Sequence, residues 1–149
     1  MQDRYLFRAK RLDNGEWVQG CYIYDIDRDS SESLNEFAHR IQPLYAHAYA
    51  EPVNQSTICQ CTGLKDKNGR VIWENDIVNG IIKRGAAFYR CLVLWNECKA
   101  RFDVRAIGCN FPMTLDECTD DISMSGFDYE VVGNVFDNPE LLEDSHDGE

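Results

Sequence analysis

The sequence has no apolar run of about 18 residues, so no membrane-spanning helix is expected. It opens Met1-Gln-Asp-Arg and continues into a charged, alternating segment rather than an apolar stretch. No secretory signal is expected from that start, and the chain reads as cytoplasmic. It has no P-loop, no dinucleotide-type glycine run, no nucleophile elbow and no His-Glu-x-x-His motif. These absences remove the commonest nucleotide, acyl-transfer and zinc-hydrolase chemistries, and no cofactor is expected. Self-similarity at solenoid periods is missing as well. Lys and Arg are missing from residues 116–149, which carry twelve acidic side chains, whereas residues 1–115 hold fifteen basic and fourteen acidic ones. The net charge of −11 therefore belongs to the last part of the chain. Such a surface repels phosphate backbones, so no direct nucleic-acid partner is expected. The ordinary role of an acidic segment is solubility. Its functional alternative is a face for a basic protein partner, with Asp116, Glu117, Asp120 and Asp121 as the candidate binding residues.

What is present suits one domain of 149 residues, long enough to bury about two thirds of its unfolded surface. Seven cysteines is an odd number, and in a reducing compartment they read as small buried hydrophobes rather than disulfides. Cys59 and Cys61 fall on one face of a strand. Zinc sites usually place two to four residues between paired cysteines, and Cys91 and Cys98 have the wrong spacing to complete one. No metal site is expected from them.

Along the chain, residues 4–11 and 16–24 read as a hairpin across Asp13-Asn-Gly15, with Tyr5, Phe7 and Ala9 on an apolar face. Trp17, Cys21 and Ile23 share a face of the return strand, and the aromatics read as the hairpin's core rather than as a stacking platform beside Arg8, Lys10 and Arg11. Leu34, Phe37, Ala38 and Ile41 fall at helical spacing behind Ser31 or Ser33 as a cap, and Pro43 ends that pattern. His39 and His47 read as surface or packing residues. Residues 77–83 and 87–95 read as strands, the second apolar on both faces and hence central. Lys99 to Ile107 alternates as a further strand, and Lys99, Arg101 and Arg105 make its outer face the best basic patch. Gly108 to Gly126 reads as a long loop with one helical turn, a place where function often sits. Asp128 to Phe136 is the last strand, bulged at Gly133. Asn138-Pro139 starts a short terminal turn. Residues 1–142 form the expected single domain, and 143–149 an acidic disordered tail. The expected fold is mainly β: a small, partly open β-barrel-like domain with an N-terminal hairpin and one or two short helices.

The chain is organised around Cys61-Thr-Gly-Leu-Lys-Asp-Lys-Asn-Gly-Arg-Val-Ile-Trp-Glu-Asn-Asp-Ile-Val78. Asn68-Gly69 signals a tight turn, Val71-Ile72-Trp73 a buried strand, and Glu74-Asn75-Asp76 a second turn. Glu74 and Asp76 are either a metal or acid–base pair, or a turn whose side chains bond its own backbone. This stretch resembles the central signature of the YopX family. Tyr5-Leu-Phe-Arg-Ala-Lys10 with Asn14-Gly-Glu-Trp-Val18, and Glu130 to Leu142, are similar to that family's opening hairpin and closing segment. The resemblance implies a small, mostly β protein of phage or prophage origin, and it brings no catalytic residue with it. It singles out Gly63, Lys65, Asp66, Asn68, Gly69, Glu74, Asp76, Gly133, Asn134 and Asn138 as signature positions without assigning them a role. At Cys61 the family has an aromatic, which suits a core position.

Three functions fit. The first is a non-catalytic accessory module that binds a protein partner or forms a homo-oligomer. The second is a metal-dependent hydrolase or nuclease using Glu74, Asp76 and Asp66. The third is an acidic mimic of nucleic acid that blocks a DNA-processing enzyme.

Overall fold

A computed structural model describes residues 3–24, 38–45, 48–82, 88–108, 112–115 and 127–143. Among them the chain is built of strands in two antiparallel sheets, with no closed barrel and with lone 3-10 turns as its helical content. No helix there is long and apolar enough to cross a membrane. The chain divides into two compact units, Met1–Cys61 and Thr62–Glu149.

The first unit holds β1 (Phe7–Lys10), β2 (Trp17–Tyr24), β3 (His39–Gln42), β4 (Glu51–Pro52) and the start of β5 (Cys59–Lys65), in the spatial order β4-β3-β2-β1-β5. The β1–β2 hairpin forms as its turn residues direct, with Gly15 at positive φ, and Ala9 lies opposite Val18. Ala9, Ile41 and Val53 are its fully buried apolar centre, flanked by Phe7, Val18, Tyr22 and Ile58. Trp17 is not part of that centre. It lies opposite Lys10, and Arg8 stacks over its ring at 4.6 Å, so it serves the basic face of the hairpin. The helical reading through Ile41 is overturned for the residues described: His39–Gln42 is a strand paired with β2. Ile41 satisfies either period, and pairing with Tyr22 decides for the strand. The rest of that reading, through Phe37, lies outside the described residues, as does His47. His39 packs, stacking on Tyr22 and sharing a 2.6 Å hydrogen bond between its Nδ1 and the Tyr22 hydroxyl. Gly20 has a steric reason: a Cβ there would collide with the backbone carbonyl of Gln42.

The second unit holds the end of β5, then β6 (Val71–Trp73), β7 (Asp76–Ile82), β8 (Phe88–Asn96), β9 (Arg101–Ala106), β10 (Pro112–Thr114) and β11 (Phe127–Asn134). The last five form a sheet in the order β10-β9-β8-β7-β11, so β8 is interior, as its two apolar faces require. Its core gathers Ile72, Val78, Cys91, Val93, Val104, Leu115, Tyr129 and Val131. The expected loop 108–126 is in part a strand, because Pro112–Thr114 pairs with β9 at its outer edge, where proline is tolerated. The bulge near Gly133 appears as a register shift between Val131 and Gly133. Cys59, Cys61 and Cys91 are buried, which fits their reading as small apolar side chains.

Candidate functional site

The signature stretch folds as two turns on either side of β6. In the first, Asp66 receives the Gly69 N–H on its carbonyl, and Gly69 takes φ +80, which a residue without a Cβ adopts without strain. The Asp66 carboxylate is buried and accepts three backbone N–H groups. Its Oδ1 takes those of Asn68 at 2.9 Å and Arg70 at 2.8 Å, and its Oδ2 takes that of Val131 at 3.0 Å. One side chain therefore shapes its own turn and ties it to a strand 65 residues away. The Lys67 N–H donates to the Tyr129 carbonyl at 2.9 Å, and the Lys67 ammonium lies 3.5 Å from the Glu130 carboxylate. Lys65, Asn68 and Gly63 are exposed, the last at positive φ within β5.

In the second turn, Asp76 is buried and its Oδ2 accepts the Trp73 N–H at 2.8 Å. Asn75 adopts φ +66 and is held by two backbone bonds, its N–H to Val93 and its carbonyl from the Val135 N–H. Asn is among the few residues that tolerate this region. Glu74 is half-buried in the same turn. Of the two sequence readings, the geometry matches the turn that bonds its own backbone. Among the described residues no group of three His, Cys, Asp or Glu side chains is placed to hold a metal ion.

The closing segment is a third such device. Asn134 Oδ1 accepts the N–H groups of Phe136 and Asp137, both at 3.0 Å. The Asn138 side chain turns back to the Asn134 N–H at 3.3 Å instead of capping the 3-10 turn Pro139–Leu142 that follows it, as its place before Pro139 suggested. A Cβ at Gly133 would meet the Asn138 side chain, which would have to shift. Asp66, Asn134 and Asn138 thus share one job, which is to satisfy backbone groups that no strand partner reaches.

The basic patch on β9 is partly neutralised. Asp103 is buried beside it and accepts from Asn96 at 2.7 Å and from Arg101 Nε at 2.8 Å. Burial pushes the Asp103 carboxyl up, but the hydrogen bonds from Asn96 and Arg101 and the charge of Arg101 outweigh it and hold the group below its ordinary range. Burial pushes the Cys91 thiol up to about 11, which leaves it protonated and unreactive at neutral pH. Asp116, Glu117, Asp120 and Asp121 lie outside the described residues, as do residues 144–149 of the expected tail.

Sequence reasoning missed one surface. Leu44, Tyr45 and Tyr49 stand in a single stretch after Pro43, and Tyr45 and Tyr49 are 72% and 87% exposed. The available signal was Pro43, which ends the preceding segment, followed by apolar side chains that do not alternate as in a strand.

Among solved structures, protein EF1440 from Enterococcus faecalis is similar at 24% identity, with 92% of this chain and 96% of that one covered and a TM-score of 0.48. A search of curated proteins finds no match. The opening hairpin, the two-turn signature and the closing Asn134 segment all fall within residues 6–143, which the YopX protein family model matches, and the chain belongs to the YopX family.

Proposed function

We propose that the chain is a non-catalytic accessory module of a phage or prophage, acting by binding a protein partner or another copy of itself. The observation that carries this reading is the use made of the signature carboxylates. Asp66 and Asp76 are buried and accept backbone N–H groups, which is the work of a scaffold rather than of a general base or metal ligand. The exposed Leu44, Tyr45 and Tyr49 add a surface of the composition favoured at protein interfaces. The charge of residues 116–149, twelve acids with no Lys or Arg, suits a basic partner, with Asp116, Glu117, Asp120 and Asp121 as proposed contacts.

Affinity capture from phage-bearing cells tests the reading. A recovered protein partner whose yield falls when Tyr45 and Tyr49 are replaced by Ser, or when the four acids are replaced by their amides, supports it. Calorimetry with Mg²⁺, Mn²⁺ and Zn²⁺ is expected to give no heat of binding. Stoichiometric binding that Glu74→Gln abolishes would instead favour the metal-dependent hydrolase.

A further inference from the structure

The outer edge of β11 lies at the end of its five-stranded sheet, and such an edge offers unpaired backbone groups to any other strand. Here two of those groups are taken. The Val131 N–H goes to the Asp66 carboxylate and the Tyr129 carbonyl to the Lys67 N–H, at 3.0 and 2.9 Å. Neither bond comes from a strand. Both come from a turn that the Asp66 carboxylate itself holds in shape. A carboxylate is needed for this arrangement, because both of its oxygens accept. An amide at position 66 would satisfy either the turn or Val131, and would point N–H groups at N–H groups on the other side.

We propose that the Asp66–Lys67 turn is a latch that closes the edge of β11 and keeps a second copy of the chain from adding its own β11 there. The strand itself contributes to the same end. Asp128 and Glu130 alternate onto one face of β11, and Lys67 neutralises Glu130 in the closed state. Two β11 strands meeting antiparallel would bring these acids opposite one another, where like charges repel.

The test uses the full chain carrying Asp66→Asn, with Lys67→Pro as a second variant that removes the N–H to Tyr129 together with the ammonium beside Glu130. Hydrogen exchange reads the latch and sedimentation reads the assembly. In Asp66→Asn the Val131 amide should exchange at least about tenfold faster, the change expected when one hydrogen bond worth ~1.4 kcal/mol is lost. Both folded variants should associate at concentrations where the natural chain does not gain mass. That association should strengthen with salt, which screens the facing acids. A folded variant with an exposed Val131 amide and the natural assembly state overturns the proposal. So does association that salt weakens, which would place the contact elsewhere. Unfolding of both variants overturns it too, because a latch is dispensable to the fold.

Discussion

The two units solve the same problem with different means. Among the described residues, the second unit gathers eight buried apolar side chains into one core, seven from five strands and Leu115 from the segment after β10. In the first, the clustered core among the described residues is Ala9, Ile41 and Val53, supplemented by close backbone approach, as at Gly20 against Gln42, and by aromatic pairs such as Tyr22 with His39. Burial of apolar area is the main favourable term in folding, so stability should be concentrated in the second unit. The first unit also exposes several large apolar side chains, Tyr45 and Tyr49 among them. Among the described residues the larger apolar core lies in the second unit and most of the exposed large apolar side chains in the first.

The sharpest way to break that comparison is Trp73→Ala. Trp73 is buried beside the second turn, and its truncation should cost about 3–5 kcal/mol, read as a fall in the denaturation midpoint. An unchanged midpoint would move the stabilising centre out of the second unit. Gly20→Ala is the matching probe of the first. Its Cβ meets backbone rather than a side chain that can swing away, so a cost of about 2–3 kcal/mol is expected, with exchange of β2 and β3 amides accelerated more than that of β7 and β8.

Acid sharpens the comparison further. The Asp103 carboxyl sits below its ordinary range in the folded chain, so the unfolded chain binds its proton first as pH falls. Its contribution is fully present above about pH 4–5 and is lost as pH drops through the folded value. Asp103→Asn should cost about 1–2 kcal/mol at neutral pH and flatten the acid limb of a stability–pH curve. A slope unchanged in the variant would assign acid sensitivity to other carboxylates. The smallest effect is expected at Tyr45 and Tyr49, where replacement by Ser should alter stability by less than about 0.5 kcal/mol while changing partner capture. A larger stability loss would make these side chains part of the first unit's packing.

Local features were legible in the sequence. Asn68-Gly69 and Glu74-Asn75-Asp76 announce turns because few residues take positive φ, and β8 announces its interior place by being apolar on both faces. The burial of Cys59, Cys61 and Trp73 was legible as well. What stayed hidden depends on register or distance. An aromatic such as Trp17 reads as core, but pairing sets it across from Lys10, on the face away from Ala9 and Val18. Ile41 fits both a helix period and a strand, and no local signal chooses between them. The bond from Val131 to Asp66 spans 65 positions, so the sequence marked Asp66 as a signature residue without showing what it holds.

The Asn68-Gly69 pair also bears on how the molecule ages. Asparagine followed by glycine is the step most prone to deamidation, because the glycine nitrogen can attack the neighbouring side-chain amide and close a five-membered imide. That attack needs the nitrogen to lose its proton and the chain to flex. In this turn the Gly69 N–H is bound to the Asp66 carbonyl at 2.9 Å and the Asn68 N–H to the Asp66 carboxylate, which together restrain both movements. The residue that shapes the turn thus also extends the chemical lifetime of the sequence that forms it.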